Sequence, residues 1–110
     1  MFDMFGIMDK LNKLKSATEE TKRRLDILSV EATSANGWVK VECTGNKVIK
    51  DIQLSPELLK QDADQISDYL VNTINEVLRN ADLMSKMEMK KATEGLMPNI
   101  PGVDLSQLGL

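Results

Sequence analysis

Histidine is absent from this sequence of 110 residues, which removes the side chain most used for proton transfer near neutral pH and for binding transition metals. Cysteine occurs once, as Cys43, so no intrachain disulfide forms and no spaced Cys/His set exists for zinc. A reducing cytoplasm is the expected compartment. Aromatic residues make up 4% of the chain, and Phe2, Phe5, Trp38 and Tyr69 do not interleave with a basic patch, as a base-stacking surface requires. No apolar run approaches the ~18 residues of a membrane helix. The opening MFDMFGIMDK carries acids where a signal peptide carries positive charge, so the expectation is a soluble, unexported chain. With 14 basic and 17 acidic residues the net charge is -3, which gives no global attraction to nucleic acid, so any anion-binding surface must be local. Gly45-Asn46 lacks the lysine and helix of a nucleotide loop, and Asp62 with Asp64 reads as a helix cap and its neighbour rather than a metal site. Cys43 is expected mid-strand on a dry face, an inert thiol. These absences exclude an enzyme, a cofactor, a metal centre and a small-molecule substrate.

What is present begins with IMDKLNKLKSATEETKRRLDIL. Ile7, Leu11, Leu14, Thr18, Thr21, Leu25 and Leu28 follow one another by alternating steps of four and three, the spacing of a helix seam that wants a partner helix. The two threonines make the stripe weak at its centre. The predicted helix runs from Asp3 to Leu28, with Gly6 weakening its first turn. Period-two character follows in SVEATSANGWVKVECTGNKVIKDIQL, broken at Asn36-Gly37 and Gly45-Asn46, which predicts three antiparallel strands near 28–34, 38–44 and 47–54 joined by tight turns. Val39, Val41 and Cys43 then share one face, and Trp38, Lys40, Glu42 and Thr44 the other.

Ser55-Pro56-Glu57 opens one helical turn through Leu59, with serine as cap and proline at the first position. Asp62, followed three residues on by Gln65, restarts a helix along Ile66, Leu70, Val71, Ile74, Val77, Leu78, Ala81 and Met84 to about Thr93. The remainder, residues 95–110, carries two prolines and three glycines and no sustained period; it is expected to be an irregular tail beyond a domain of residues 1–94. The fold class is α+β, a long N-terminal helix, a three-stranded antiparallel sheet and a long C-terminal helix.

Helices of these lengths span ~39 and ~48 Å, and a strand of six or seven residues only ~20 Å. The sheet cannot cover both helices, so helical arms project from it. The arms pair with one another or with a second copy, and the small sheet makes a symmetric dimer the expected completion.

The order of Gly37, Val39-Lys40-Val41, Gly45, Ile52-Gln53-Leu54-Ser55-Pro56-Glu57-Leu58-Leu59 and the acidic stretch from Asp62 to Asp64 resembles the YbaB/EbfC family of bacterial nucleoid-associated DNA-binding proteins, as do the opening MFDMFGIMDKLNKLK and the late ATEGLMPNIPG. The second helix departs from the family's alanine-rich pattern, reading NTINEVLRNAD with bulkier Ile74, Val77 and Leu78. The resemblance implies a small homodimer whose strand core carries protruding helical arms and which binds DNA in the nucleoid.

Residues suited to that role lie on the predicted arms. Lys10, Lys13, Lys15, Lys22, Arg23 and Arg24 belong to the first helix and Lys86, Lys90 and Lys91 to the end of the second. The acids concentrate between them, at Glu57, Asp62, Asp64, Asp68, Glu76 and Asp82. Backbone or shape readout is expected rather than base reading, since no helix-turn-helix spacing or zinc finger is present. The expected dimer interface takes in Ile7, Leu11, Leu14, Trp38, Val39 and Val41. All seven methionines stand in the outer parts of the two helices or beyond, where flexible thioethers suit arm-to-arm packing. A second reading is a protein-interaction scaffold whose arms hold a partner protein.

Overall fold

The computed structural model describes residues 4–94, with side chains from Gly6 onward. The expected helix start at Asp3, the residues Met1, Phe2 and Met97, and the tail 95–110 lie outside the described residues, as do the side chains of Met4 and Phe5. Six elements follow in order: α1 (Met4–Leu25), β1 (Ser29–Thr33), β2 (Val39–Thr44), β3 (Ile49–Leu54), α2 (Pro56–Leu59) and α3 (Ala63–Thr93). This is the expected α+β succession, and the molecule is long and thin, 71 × 28 × 16 Å.

The sheet is antiparallel in the order β1-β2-β3. Val30 and Ala32 lie opposite Cys43 and Val41, while Val39, Val41 and Cys43 lie opposite Leu54, Ile52 and Ile49. Residues directly opposite share a face, so one face of all three strands is apolar. A bulge beside Cys43 shifts the register, pairing Glu42 with Asp51 and Cys43 with Ile49, and so keeps Ile49 on that face. The other face is polar and braced by Lys40–Glu31 at 3.5 Å and Lys50–Glu42 at 3.6 Å.

α3 lies chiefly across β1 and β2. Val77 and Ala81 enclose Ala32, Val39, Val41 and Cys43, with Leu58 of α2 closing the core. Fully burying a side chain such as Val41 or Leu58 contributes about 1.5–3 kcal/mol. Both later helices start as their sequences dictate. Ser55 accepts from the Leu58 amide at 3.4 Å with Pro56 next in line, and Asp62 accepts from the Gln65 amide at 2.8 Å. At the far end of the sheet Trp38 packs on Tyr69 of α3, ring centroids 5.5 Å apart, and Asn36 donates to the Tyr69 hydroxyl at 2.9 Å.

Beyond the sheet α3 continues alongside α1, so the two helices form one paired arm. The weak centre of the α1 stripe is resolved locally. Thr18 and Thr21 donate their hydroxyls to the carbonyls of Leu14 and Ala17, which lets Thr21 be buried without a partner on the other helix. α1 stops at Leu25 rather than at the expected Leu28. Its last turn tightens as Asp26 donates to Arg23 and both Ile27 and Leu28 donate to Arg24, and no glycine follows to offer the usual left-handed finish.

Candidate nucleic-acid interface

The nine basic residues singled out in the sequence all fall on the arm and all are exposed. Along α1 and residues 83–94 they stand against five acids, Asp9, Glu19, Glu20, Glu88 and Glu94, whereas residues 26–82, the rest of the described chain, hold five basic residues and ten acids. Charge is therefore segregated along the long axis, with a positive arm and a negative body. A field of this kind turns one end of an acidic molecule towards a polyanion.

Four of the nine are held by acids on the same chain. Lys13 pairs with Asp9 at 3.1 Å, Lys86 with Asp82 at 3.0 Å and Lys91 with Glu88 at 3.8 Å, and Arg24 also reaches Glu88. Glu88 thus draws Arg24 of α1 and Lys91 of α3 to one carboxylate. Lys10, Lys15, Lys22, Arg23 and Lys90 have no ion-pair partner among the described residues. Lys15 and Lys22 are seven apart and share a face of α1, while Lys86 and Lys90 are four apart on α3. The basic groups line several sides of the arm rather than one strip.

The residues expected at a dimer interface separate into three groups. Val39 and Val41 are fully buried in the chain's own core, so they have no surface left for a partner. Trp38 is half-buried against Tyr69. Ile7 and Leu11, at 44% and 58% exposure, are open at the outer end of α1, and Leu14 is half-buried.

Sequence reading missed a larger apolar surface. Because α3 covers chiefly β1 and β2, Ile49, Ile52 and Leu54 on the apolar face of β3 stay about 40% exposed, and Val48 and Leu59 are exposed nearby. On the flank of α3, Leu78 and Leu83 with Lys47 and Asp82 line an open groove of about 490 Å³. The signal was in the register, since Ile52 and Leu54 face the same way as Val41 and Val39, and one helix is too narrow to roof three strands.

The second missed feature is the β2–β3 turn at the root of the arm. Lys47 adopts a positive φ of 68°, whereas Gly45 serves close approach, as a Cβ there would stand 2.6 Å from Leu25 Cδ2. Gly45 donates its amide to the carbonyls of Leu25 and Leu28, both at 3.0 Å. Asn46 donates its side-chain amide to the Lys22 carbonyl at 2.9 Å. On the other side Lys47 meets Asp82 at 3.2 Å. Hydrogen bonding from Lys86, then from Lys47, holds the Asp82 carboxyl below the usual carboxylate range. Burial pushes the Cys43 thiol up, as expected of an unreactive core residue. Among the described residues no helix is long and apolar enough to cross a membrane.

A nucleoid-associated protein of Flavobacterium johnsoniae is 37% identical over 93% of this chain and 95% of its own length. A nucleoid-associated protein of Acinetobacter baumannii is 34% identical, covering 82% of this chain and 84% of that one. The crystal structure of an uncharacterized protein, HP0035 from Helicobacter pylori, superposes with a TM-score of 0.71 at 20% identity, over 88% of this chain and all of the other, which establishes the shared fold. The model of the YbaB/EbfC DNA-binding family matches residues 1–96, and with helix, three-stranded sheet and long helix in place, the chain belongs to that family.

Proposed function

We propose that this protein is a non-enzymatic, homodimeric DNA-binding protein of the bacterial nucleoid, which grips the duplex between basic helical arms and reads backbone and shape rather than base sequence. The observation that carries the reading is the segregation of charge. A chain with a net charge of -3 concentrates nine of its basic residues on the projecting helices. Lys10, Lys15, Lys22, Arg23 and Lys90 carry no ion pair there among the described residues and remain available to phosphate. The names of the relatives support a place on the nucleoid within the cytoplasm.

Dimerisation is supported by the apolar face of β3. An edge strand with its core-side residues uncovered is a template for a second copy. Two arms from one dimer then provide twice the cationic surface, enough to neutralise about four to six phosphates.

Fluorescence anisotropy of random duplex, repeated at rising salt with the mass of the free protein measured in parallel, tests the reading. The expected outcome is a dimer whose log affinity falls with log salt at a slope of about -4 to -5. Absence of binding at low salt overturns the DNA role, and a monomer at micromolar concentration overturns the paired grip.

A further inference from the structure

We infer that the turn Gly45-Asn46-Lys47 is the mount of the arm, a set of positioning residues that fix the direction of α1 and α3 relative to the sheet. The inference deepens the proposed DNA grip and rests on it only for its functional consequence.

Three adjacent residues reach three different targets. The amide of Gly45 and the side chain of Asn46 take the carbonyls of Leu25 and Lys22 at 3.0 and 2.9 Å. A helix end leaves its last carbonyls without donors, and α1 receives two of the missing donors from a turn twenty and twenty-four residues further along the sequence. Lys47 meanwhile reaches Asp82, at the point where α3 leaves the sheet. The same turn therefore holds both helices of the arm at its root.

The turn is itself braced. Thr44 Oγ1 accepts from the amides of Asn46 and Val48, each at 3.2 Å, and the Thr44 carbonyl accepts from the Lys47 amide at 2.9 Å. Leu25, 1% exposed, lies against Gly45, so the packing is tight on the inner side as well. Along the rest of the arm the polar link between the helices, among the described residues, is Arg24 to Glu88. With so few directional interactions further out, a small rotation at the root moves the outer end of a helix of 22 residues a long way. Spacing between two such arms then depends on this turn.

Double electron–electron resonance on the full-length protein tests the mount. Spin labels are attached at Ser16→Cys on α1 and Thr33→Cys on β1, both exposed positions, with Cys43 buried. Labelled chains are diluted with unlabelled ones, so that distances within one subunit are read. Asn46→Asp loses the donor to the Lys22 carbonyl and to the Asp26 carboxylate and sets two carboxylates side by side, and Lys47→Gln loses the ion pair to Asp82. Each is expected to broaden or shift the distance distribution and to weaken duplex binding about three- to tenfold, whereas Lys40→Gln, on the wet face of the sheet, leaves both unchanged. Should Asn46→Asp fail to fold, Lys47→Gln alone decides. Distributions matching the wild type overturn the mount. Shifted distributions with unchanged affinity overturn its role in binding. A wild-type protein that does not bind DNA tells against the grip itself, while the distances still report on the turn.

Discussion

Val41 and Ile52 are direct neighbours across β2 and β3 and point to the same face of the sheet, yet Val41 is fully buried and Ile52 is 41% exposed. The boundary of the helix roof passes between them. Placing a charge on the open side of that boundary tests what completes the core. Ile52→Glu is expected to raise the dimer dissociation constant about a hundredfold, the scale of a loss at the centre of an interface, with the circular dichroism of the folded subunit retained. Sedimentation velocity at several concentrations reads the outcome, and an unchanged dimer excludes β3 as the interface.

The cations without an ion pair among the described residues and the paired ones make different predictions for DNA. Replacing Lys10, Lys15 and Lys22 together by glutamine is expected to flatten the salt dependence by about one slope unit for each phosphate that is no longer neutralised. Replacing Lys13, Lys86 and Lys91, which are already engaged by Asp9, Asp82 and Glu88, is expected to remove less binding, because Lys47 still holds Asp82 and Arg24 still holds Glu88. Anisotropy titrations of the two triple variants compare them directly.

Gly45→Ala places a methyl group 2.6 Å from Leu25 Cδ2 and 3.1 Å from the Leu25 carbonyl oxygen. Since backbone lies among the atoms it meets, the loss is expected to be about 1–3 kcal/mol, measured by urea denaturation at fixed protein concentration.

Asp82 gives a pH signature. Its carboxyl is held below the usual range by Lys86 and Lys47, so its contribution is present above the unfolded pKa of about 3.9 and is lost as pH falls through the lower folded value. The stability difference between wild type and Asp82→Asn is therefore expected to be constant through neutral pH and to close in the acid limb. Because the group is exposed, it also shrinks with added salt.

Much of this fold is written locally. Asn36-Gly37, Ser55-Pro56 and Asp62 with Gln65 announce a turn and two helix starts through chemistry confined to a few residues, and α1, the three strands and α3 follow from their periods. What local chemistry does not contain is which element covers which. Val39 and Val41 were legible as apolar and inward, but whether inward meant α3 or a partner depended on α3 crossing β1 and β2 rather than the whole sheet. The end of α1 failed for a related reason, because the donors that finish it belong to Gly45 and Asn46. Likewise the nine basic residues were legible as an arm, while the ion pairs that occupy Arg24 and Lys86 needed the fold to bring Glu88 to α1 and a helical turn to bring Asp82 to Lys86.

The threonines of the α1 stripe carry a consequence for motion. Thr18 and Thr21 spend their hydroxyls on their own helix, so the two rods are tied at the base and merely lie alongside one another further out. Amide hydrogen exchange is expected to grade from slow near Leu25 to fast near Ile7, the profile of an arm that is stiff at its root and compliant at its tip.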